Sequence, residues 1–311
     1  MEIVGLGLAT LDVLLRLKDM PTWERPGALG DFSFDGGGPV GTACVAASRL
    51  GARVGYVGTA GNDQLAELKL KSLTENGVDI SRIAYRDAPE TQVVMVYVHE
   101  ETGERVFGGA RRNIPRNEPL RVDELDREYI TSAQYLHLDG THFEAAMQAI
   151  EWMHEAGKEV CIDCAKTDGR PVPQHLADLV PHVDILICGS GFGYSLTGHK
   201  DIWKAGEAML AMGPRIVVQT EGSDGSYTTT ADERFHTPII DVPVIDTTGA
   251  GDVFHGAYLV GLLHGWDLRS VAWFSTAVSA IKCTKLGGRR GIPCYDDVMA
   301  LLRERGIEMP E

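Results

Sequence analysis

Short apolar runs bounded by turn residues alternate along this chain with longer segments whose apolar positions recur at helical spacing. EIVGLGL, RVGYVGTAG, QYLHLDG, EVCIDC, VDILICG and RIVVQTEG have strand length, whereas VGTACVAASRLGA, QLAELKLKSLTENG and FEAAMQAIEWMHEAG carry the helical period. Strands that read as continuous apolar runs are buried on both faces, as in parallel βαβ units. The pattern predicts a three-layer α/β/α sandwich. Two regions, 13–35 and 90–112, break the rhythm; the second contains TQVVMVYVHEETGERVF, two β-rich runs joined by a glycine-containing turn. They predict a small β sheet that covers the carboxyl edge of the main sheet, where open α/β folds bind ligands. The expected division is a body of 1–12, 36–89 and 113–311 and a lid of 13–35 and 90–112.

A chain of 311 residues, 44% of them hydrophobic, suffices for one large α/β domain with a small satellite. Its 29 Lys and Arg against 44 Asp and Glu leave a formal charge of −15, which argues against nucleic acid or an anionic membrane as the main partner. The opening MEIVGLGLATLDVLL carries Glu2 and Asp12 without a basic leader and reads as a first strand. No apolar run approaches the ~20 residues of a membrane span. The expectation is a soluble cytoplasmic protein. The cysteines, Cys44, Cys161, Cys164, Cys188, Cys283 and Cys294, are scattered and read as reduced thiols, including the C-x-x-C pair of VCIDC, which lacks a second pair or a histidine at zinc spacing. His137 and His142 likewise lack a third ligand, and His255 reads as packed helix.

The stretch VIDTTGAGDVFHGAYLVGLLHG combines a glycine turn, a helix start and an acid. Gly249, Ala250 and Gly251 let the backbone approach an anion and present unpaired N–H groups to it, and the helix macrodipole adds positive potential. Asp252 has two readings here: a charge complementing the dipole, or a general base that accepts the proton of a hydroxyl attacking a phosphoryl group. An ordinary aspartate, with a pKa near ~3.9, is ionised at neutral pH.

DTTGAGDVFHGA resembles the C-terminal signature of the ribokinase-like (PfkB) carbohydrate kinases, D-T-x-G-A-G-D-x-F. FDGGGPVGTACVAASRLGARVGYVGTAGND resembles the N-terminal signature of the same family, and VVQTEGSDGSYT its T-x-G-x-x-G nucleotide segment. In motif detail, GGGPVGTACVAASRLGA and IKCTKLGGRRGIP look most like the sulfofructose kinase branch. The resemblance implies a Rossmann-like body with a β lid and ATP-dependent phosphorylation of a hydroxyl on a sugar or sugar-like small molecule. It implies Asp252 as base and Gly249, Ala250 and Gly251 as anion hole. Asp12 would bind acceptor hydroxyls, with Gly37 and Gly38 as the hinge, and Thr220, Gly222 and Gly225 would line ATP. Asp246 and Thr248 match positions that hold a monovalent cation such as K⁺ in many members.

The chain departs from the family pattern in places. Gly189 and Phe192 stand where an N-x-x-E motif would organise magnesium, so Mg²⁺ is expected to arrive on the phosphate oxygens of ATP. Thr42 replaces the asparagine after the paired glycines, which makes ribose itself the less expected acceptor. A sulfonate calls for cations, and no arginine adjoins Asp139–Thr141; Arg111 and Arg112, or Arg25, are the candidates. Asp139, at a strand's carboxyl end, reads equally as a substrate contact or a turn residue. In IDCAKTDGR only Asp163 survives from the D-x-N-x-R of relatives. A nucleoside kinase of the same fold and a non-catalytic ligand-binding relative stay open, while the absence of G-x-G-x-x-G after the first strand disfavours an NAD enzyme. An exposed lid edge predicts a homodimer.

Overall fold

The structure, a computed structural model, describes residues 1–102, 105–109 and 118–310. Elements are numbered in chain order. Seven strands of the main sheet run parallel, in the order β5 (Asp79–Tyr85), β4 (Val54–Ala60), β1 (Ile3–Leu6), β8 (Tyr135–Leu138), β9 (Glu159–Cys164), β10 (Ile185–Gly189) and β11 (Ile216–Thr220). Beyond β11, β12 (Ser226–Thr229) and β13 (Arg234–Thr237) continue the sheet antiparallel. The sequence pattern predicts this α/β architecture because the central strands are apolar on both faces: Ile185 and Ile187 enter one core, Leu186 and Cys188 the other.

The first core lies under α1 (Pro39–Arg49), α2 (Gln64–Thr74), α8 (Ala250–Leu263), α9 (Leu268–Cys283) and α10 (Tyr295–Glu304). The second lies under α3 (Arg127–Thr131), α4 (Phe143–Glu155), α5 (Gln174–Leu179), α6 (Phe192–Thr197) and α7 (Ile202–Leu210). Helix α8 is apolar nearly all round, and Val253 through Gly261 are buried, so it sits inside its layer rather than on it. It meets α1 where Gly256 leaves no room for a side chain against the carbonyl of Ala43. That contact fixes the start of α8 relative to Thr42.

A separate four-stranded sheet contains β3 (Leu29–Gly37), β2 (Thr10–Leu17), β6 (Val93–His99) and β7 (Arg105–Gly109), in that order. The regions expected to form β structure do so, but the strands overrun the expected limits: β2 begins at Thr10 and β3 ends at Gly37, so Asp12 and Gly37 belong to this sheet. Its register sorts the side chains onto two faces. Asp12 pairs with Asp35 and Val94, Leu14 with Ser33 and Val96, and Val98 with Arg105; these share the face turned to the body, where Leu14, Val96 and Val98 pack with Leu286. Phe32, Phe34, Met95 and Val106 occupy the opposite, uncovered face.

One buried ion pair fastens the small sheet to the large one. Lys69 Nζ of α2 lies 2.5 Å from Glu90 Oε2, both side chains fully buried. The same ammonium donates to Thr59 O of β4 at 2.9 Å and to Gln92 Oε1, just before β6, at 2.8 Å. Lys69→Met would strand the Glu90 carboxylate in the interior and cost about 3–5 kcal/mol of stability, read from the urea midpoint. The double variant with Glu90→Gln should recover much of it.

Candidate active site

Helix α8 starts from Gly249, whose φ of 74° is left-handed. A Cβ here would be strained and would meet Gly288 O at 3.0 Å, so the turn requires glycine. Val253 N donates to Gly249 O at 2.9 Å, and Ser279 Oγ of α9 holds Ala250 O at 2.9 Å. The N–H groups of Gly251 and Asp252 precede that helical bond and belong to the free donors of the helix end. The space beside Gly251 is open: a Cβ would find no atom within 4 Å. An anion placed there meets both the donors and the positive end of the helix.

Asp252, in the first turn, is half-buried, and its carboxyl is pushed up to about 7. Burial is the main cause. The Arg289 guanidinium opposes it, the Asp12 carboxylate adds to it, Lys282 opposes it and Asp139 adds to it. The ordinary, fully ionised aspartate expected from sequence is therefore not what stands here. Near neutral pH the group is divided between its two forms.

Arg289 has no role in the sequence reading, yet the site is arranged around it. It is 3% exposed. Its Nη2 donates to Gly37 O at 2.6 Å, Nη1 to Ser72 Oγ at 2.5 Å and Nε to Thr42 Oγ1 at 3.3 Å, while its backbone N–H reaches Asp35 Oδ2 at 3.2 Å. Thr42 thus faces the guanidinium. Asp12 is buried and accepts from Thr10 Oγ1 at 2.7 Å; burial raises its pKa, against the Thr10 hydrogen bond and the Arg289 charge. Gly37 leaves the space that the Asp12 carboxylate occupies, and Gly38, at φ 84°, caps α1. The only clue to Arg289 was its doubled-glycine setting, GGRRG.

Asp139 behaves as a turn residue: its Oδ2 accepts from Leu8 N at 2.8 Å and its Oδ1 from Thr141 N at 2.9 Å. These bonds tie the ends of β1 and β8 together and leave its charge near Asp252. Arg111, with its neighbour Arg112, lies outside the described residues. Arg25 is exposed.

Asp246 and Thr248 come together as expected, but with cations of the protein's own. Asp246 Oδ1 accepts from Thr248 N at 2.8 Å, from Thr248 Oγ1 at 2.7 Å and from Arg105 Nη1 of β7 at 2.5 Å, and Oδ2 accepts from Gly287 N at 2.8 Å. Arg105 also bonds Thr248 Oγ1 and, at 2.9 Å, Thr247 Oγ1. Lys282 Nζ, fully buried, donates to Asp246 O at 2.9 Å. Burial would raise the Asp246 carboxyl, but the Thr248 hydroxyl and amide, Lys282 and the Gly287 amide hold it below its usual range. A lysine inside the apolar run VSAIKC was the sequence signal for Lys282.

The residues expected to line a nucleotide lie at and just beyond the end of β11, where Thr220 pairs with Gly189 of β10. Thr220 Oγ1 donates to Cys188 O at 3.2 Å. Gly222 borders open space, while Gly225 is packed against Thr237 O and serves the turn into β12. Between Thr220 and Gly222, Glu221 accepts from Ser190 Oγ, which places a carboxylate near the position of the missing N-x-x-E. Asp163 of β9 is buried and strongly raised in pKa, by burial first and then by the carboxylates of Asp252 and Asp139.

Known proteins match most of this chain. A 5-dehydro-2-deoxygluconokinase of Shouchella clausii is 26% identical over 98% of this chain and 97% of its own. A 2-dehydro-3-deoxygluconokinase of Bacillus subtilis is 27% identical over 82% of each. The structure of Arabidopsis thaliana ribokinase complexed with ribose and ATP superposes with a TM-score of 0.82 at 21% identity, covering 97% of this chain and 98% of that one, and so shares the ribokinase-like fold. The model of the pfkB family carbohydrate kinases matches residues 2–294, and the chain belongs to that family.

Proposed function

We propose that the protein moves the γ-phosphoryl group of ATP to a hydroxyl of a sugar or sugar-like molecule, with an anionic sugar as the acceptor class. The observation that carries this is Asp252, tuned to about 7, beside an open helix terminus. Asp12 orients the acceptor and Asp252 takes the proton of its hydroxyl as the oxygen attacks the γ-phosphorus. The new O–P bond forms, the bond to the β-phosphate oxygen breaks, and ADP leaves. The Gly251 and Asp252 amides hold the charge on the transferring group. Thr220 and Gly222 border the nucleotide. Mg²⁺ would neutralise phosphate charge, and Glu221, oriented by Ser190, is the described carboxylate suited to its water shell.

The acceptor class rests on two supports. Two of the relatives named above are dehydro-deoxygluconokinases, whose substrates carry a carboxylate. The small sheet also brings Arg105 to the site on the same face as Asp12. Sulfofructose belongs to the same chemical class, and Arg111 is a further cation for it. That sheet acts as the lid, and its uncovered apolar face, with Phe32 61% and Val106 59% exposed, suits a second copy of the chain. Light scattering should give a dimer, and Phe32→Glu a monomer.

An exchangeable monovalent cation does not fit the residues present. The Asp246 carboxylate is already bonded by Arg105, Thr248 and Gly287, and Lys282 sits on its carbonyl. Turnover should be unchanged when K⁺ is replaced by tetramethylammonium at constant ionic strength. Lys282→Ala, lacking the internal ammonium, should acquire a K⁺ requirement.

Asp252→Asn keeps the shape but cannot take the proton. ATP turnover on a panel of sugar acids, sulfofructose, neutral ketoses and nucleosides should select an anionic sugar, with a loss of about 10²–10⁴-fold or more in this variant. Wild-type turnover in Asp252→Asn would remove it as the base; preference for a nucleoside would move the acceptor class. The pH dependence has a definite sign. The base works deprotonated and its pKa is raised, so kcat/KM should fall as pH drops through about 7 and level off above it. Asp12→Asn removes a neighbouring negative charge and should move the inflection to lower pH.

A further inference from the structure

One turn along α8 from Asp252, three side chains treated separately in the sequence converge in the core. His137 of β8 and Cys161 of β9 are directly opposed in the parallel ladder, so both point to the same face of the sheet. His255 of α8 packs over them. One ligand atom from each lies within 4.8 Å of the other two, and exposures are 1%, 0% and 2%.

The polar atoms of this cluster are poorly satisfied. Neither ring nitrogen of His137 has a hydrogen-bond partner, nor does Nδ1 of His255, although the Cys161 backbone lies near His137. The rings are 5.4 Å apart at 45°, which is not a stacked pair. These unbonded ring nitrogens are directed into the protein, away from solvent. Buried imidazoles normally find partners, and three orphaned nitrogens around one thiol need an explanation.

We infer that His137, Cys161 and His255 form a site for a zinc-like transition-metal ion. The two imidazoles and a thiolate suit zinc, whereas Mg²⁺ and Ca²⁺ would demand oxygen ligands. Bonds of ~2.0–2.3 Å put the ligand atoms of tetrahedral zinc roughly 3.3–3.8 Å apart, so modest side-chain adjustment closes the site. Asp163 supplies the outer shell: its Oδ1 is 3.5 Å from His255 Nε2, which leaves Nδ1 as the metal-binding atom in a carboxylate–histidine–metal arrangement. Two imidazoles and one thiolate leave a divalent ion with a single net positive charge, and the Asp163 carboxyl group beside His255 faces it. On binding, the Cys161 S–H bond gives way to a sulfur–metal bond and the proton passes to solvent. The ion would cross-link α8 to β8 and β9 below the catalytic turn. It takes no part in phosphoryl transfer, so the site stands or falls independently of the kinase reading.

The test uses the full chain carrying Cys294→Ser, which removes the one exposed thiol among the described cysteines. After equilibration with Zn²⁺ and desalting, elemental analysis should find about one zinc per chain. Removal by a strong chelator should lower Tm, and zinc should restore it. With Co²⁺, a thiolate-to-cobalt charge-transfer band in the near ultraviolet and visible bands of a four-coordinate ion are expected. The charge-transfer band should vanish in Cys161→Ser, and zinc retention should fall in His137→Gln and His255→Gln. If the protein retains no zinc, its Tm is indifferent to zinc and chelator, and Co²⁺ gives no charge-transfer band, the cluster is core packing and the proposal is overturned. These measurements need no variant of the cluster to fold. A band that persists in Cys161→Ser would also overturn it.

Discussion

The site depends on a guanidinium that no solvent reaches. Arg289 bonds the carbonyl of Gly37 at the end of β3, Ser72 on α2 and Thr42 on α1, and its own backbone takes Asp35. These partners come from the small sheet and two body helices. A cation in such a place needs negative charge nearby, and Asp12 and Asp35 provide it. The Asp12 carboxylate and its scaffold are therefore parts of one electrostatic unit. Loss of the guanidinium would leave Asp12 buried with only Thr10 to satisfy it.

The same unit acts on Asp252, the carboxylate proposed as the base. Burial and the two aspartates Asp12 and Asp139 push Asp252 toward its neutral form; Arg289 and Lys282 pull it back. An aspartate at its ordinary pKa is a weak proton acceptor, and one in an apolar core would stay protonated. A value of about 7 makes Asp252 a better acceptor without silencing it at cellular pH. Charges that hold the scaffold thus also set the protonation of the carboxylate proposed as the base.

The sequence carried some of this plainly and some not at all. The parallel sheet was legible because strands buried on both faces become apolar runs, and the glycine turn with Asp252 was legible because its parts are consecutive. Arg289 was not, since its meaning comes from Thr42, 247 residues away, and Gly37, 252 residues away. Lys282 had no role in the sequence reading; the fold sets it on the Asp246 carbonyl. The expected boundary after residue 12 failed for a local reason: β2 begins before the apolar pattern shows a break, so Asp12 rides on the small sheet. The Asp139 alternatives were separated only by its bonds to Leu8 and Thr141.

That small sheet gives the site its logic of assembly. Its register puts Asp12 and Arg105 on one face, and that face meets the turn before α8 through Asp246. The body contributes the open start of α8 and Asp252, the proposed anion site and base. Neither sheet alone therefore holds an acceptor beside a phosphoryl group. A movement that separated Arg105 from Asp246 would expose two opposite charges to water and open the site together, because the Coulomb attraction weakens as solvent enters. The ion pair is thus a latch whose strength depends on the dryness that closure creates, and closure is also what keeps water from competing with the acceptor hydroxyl.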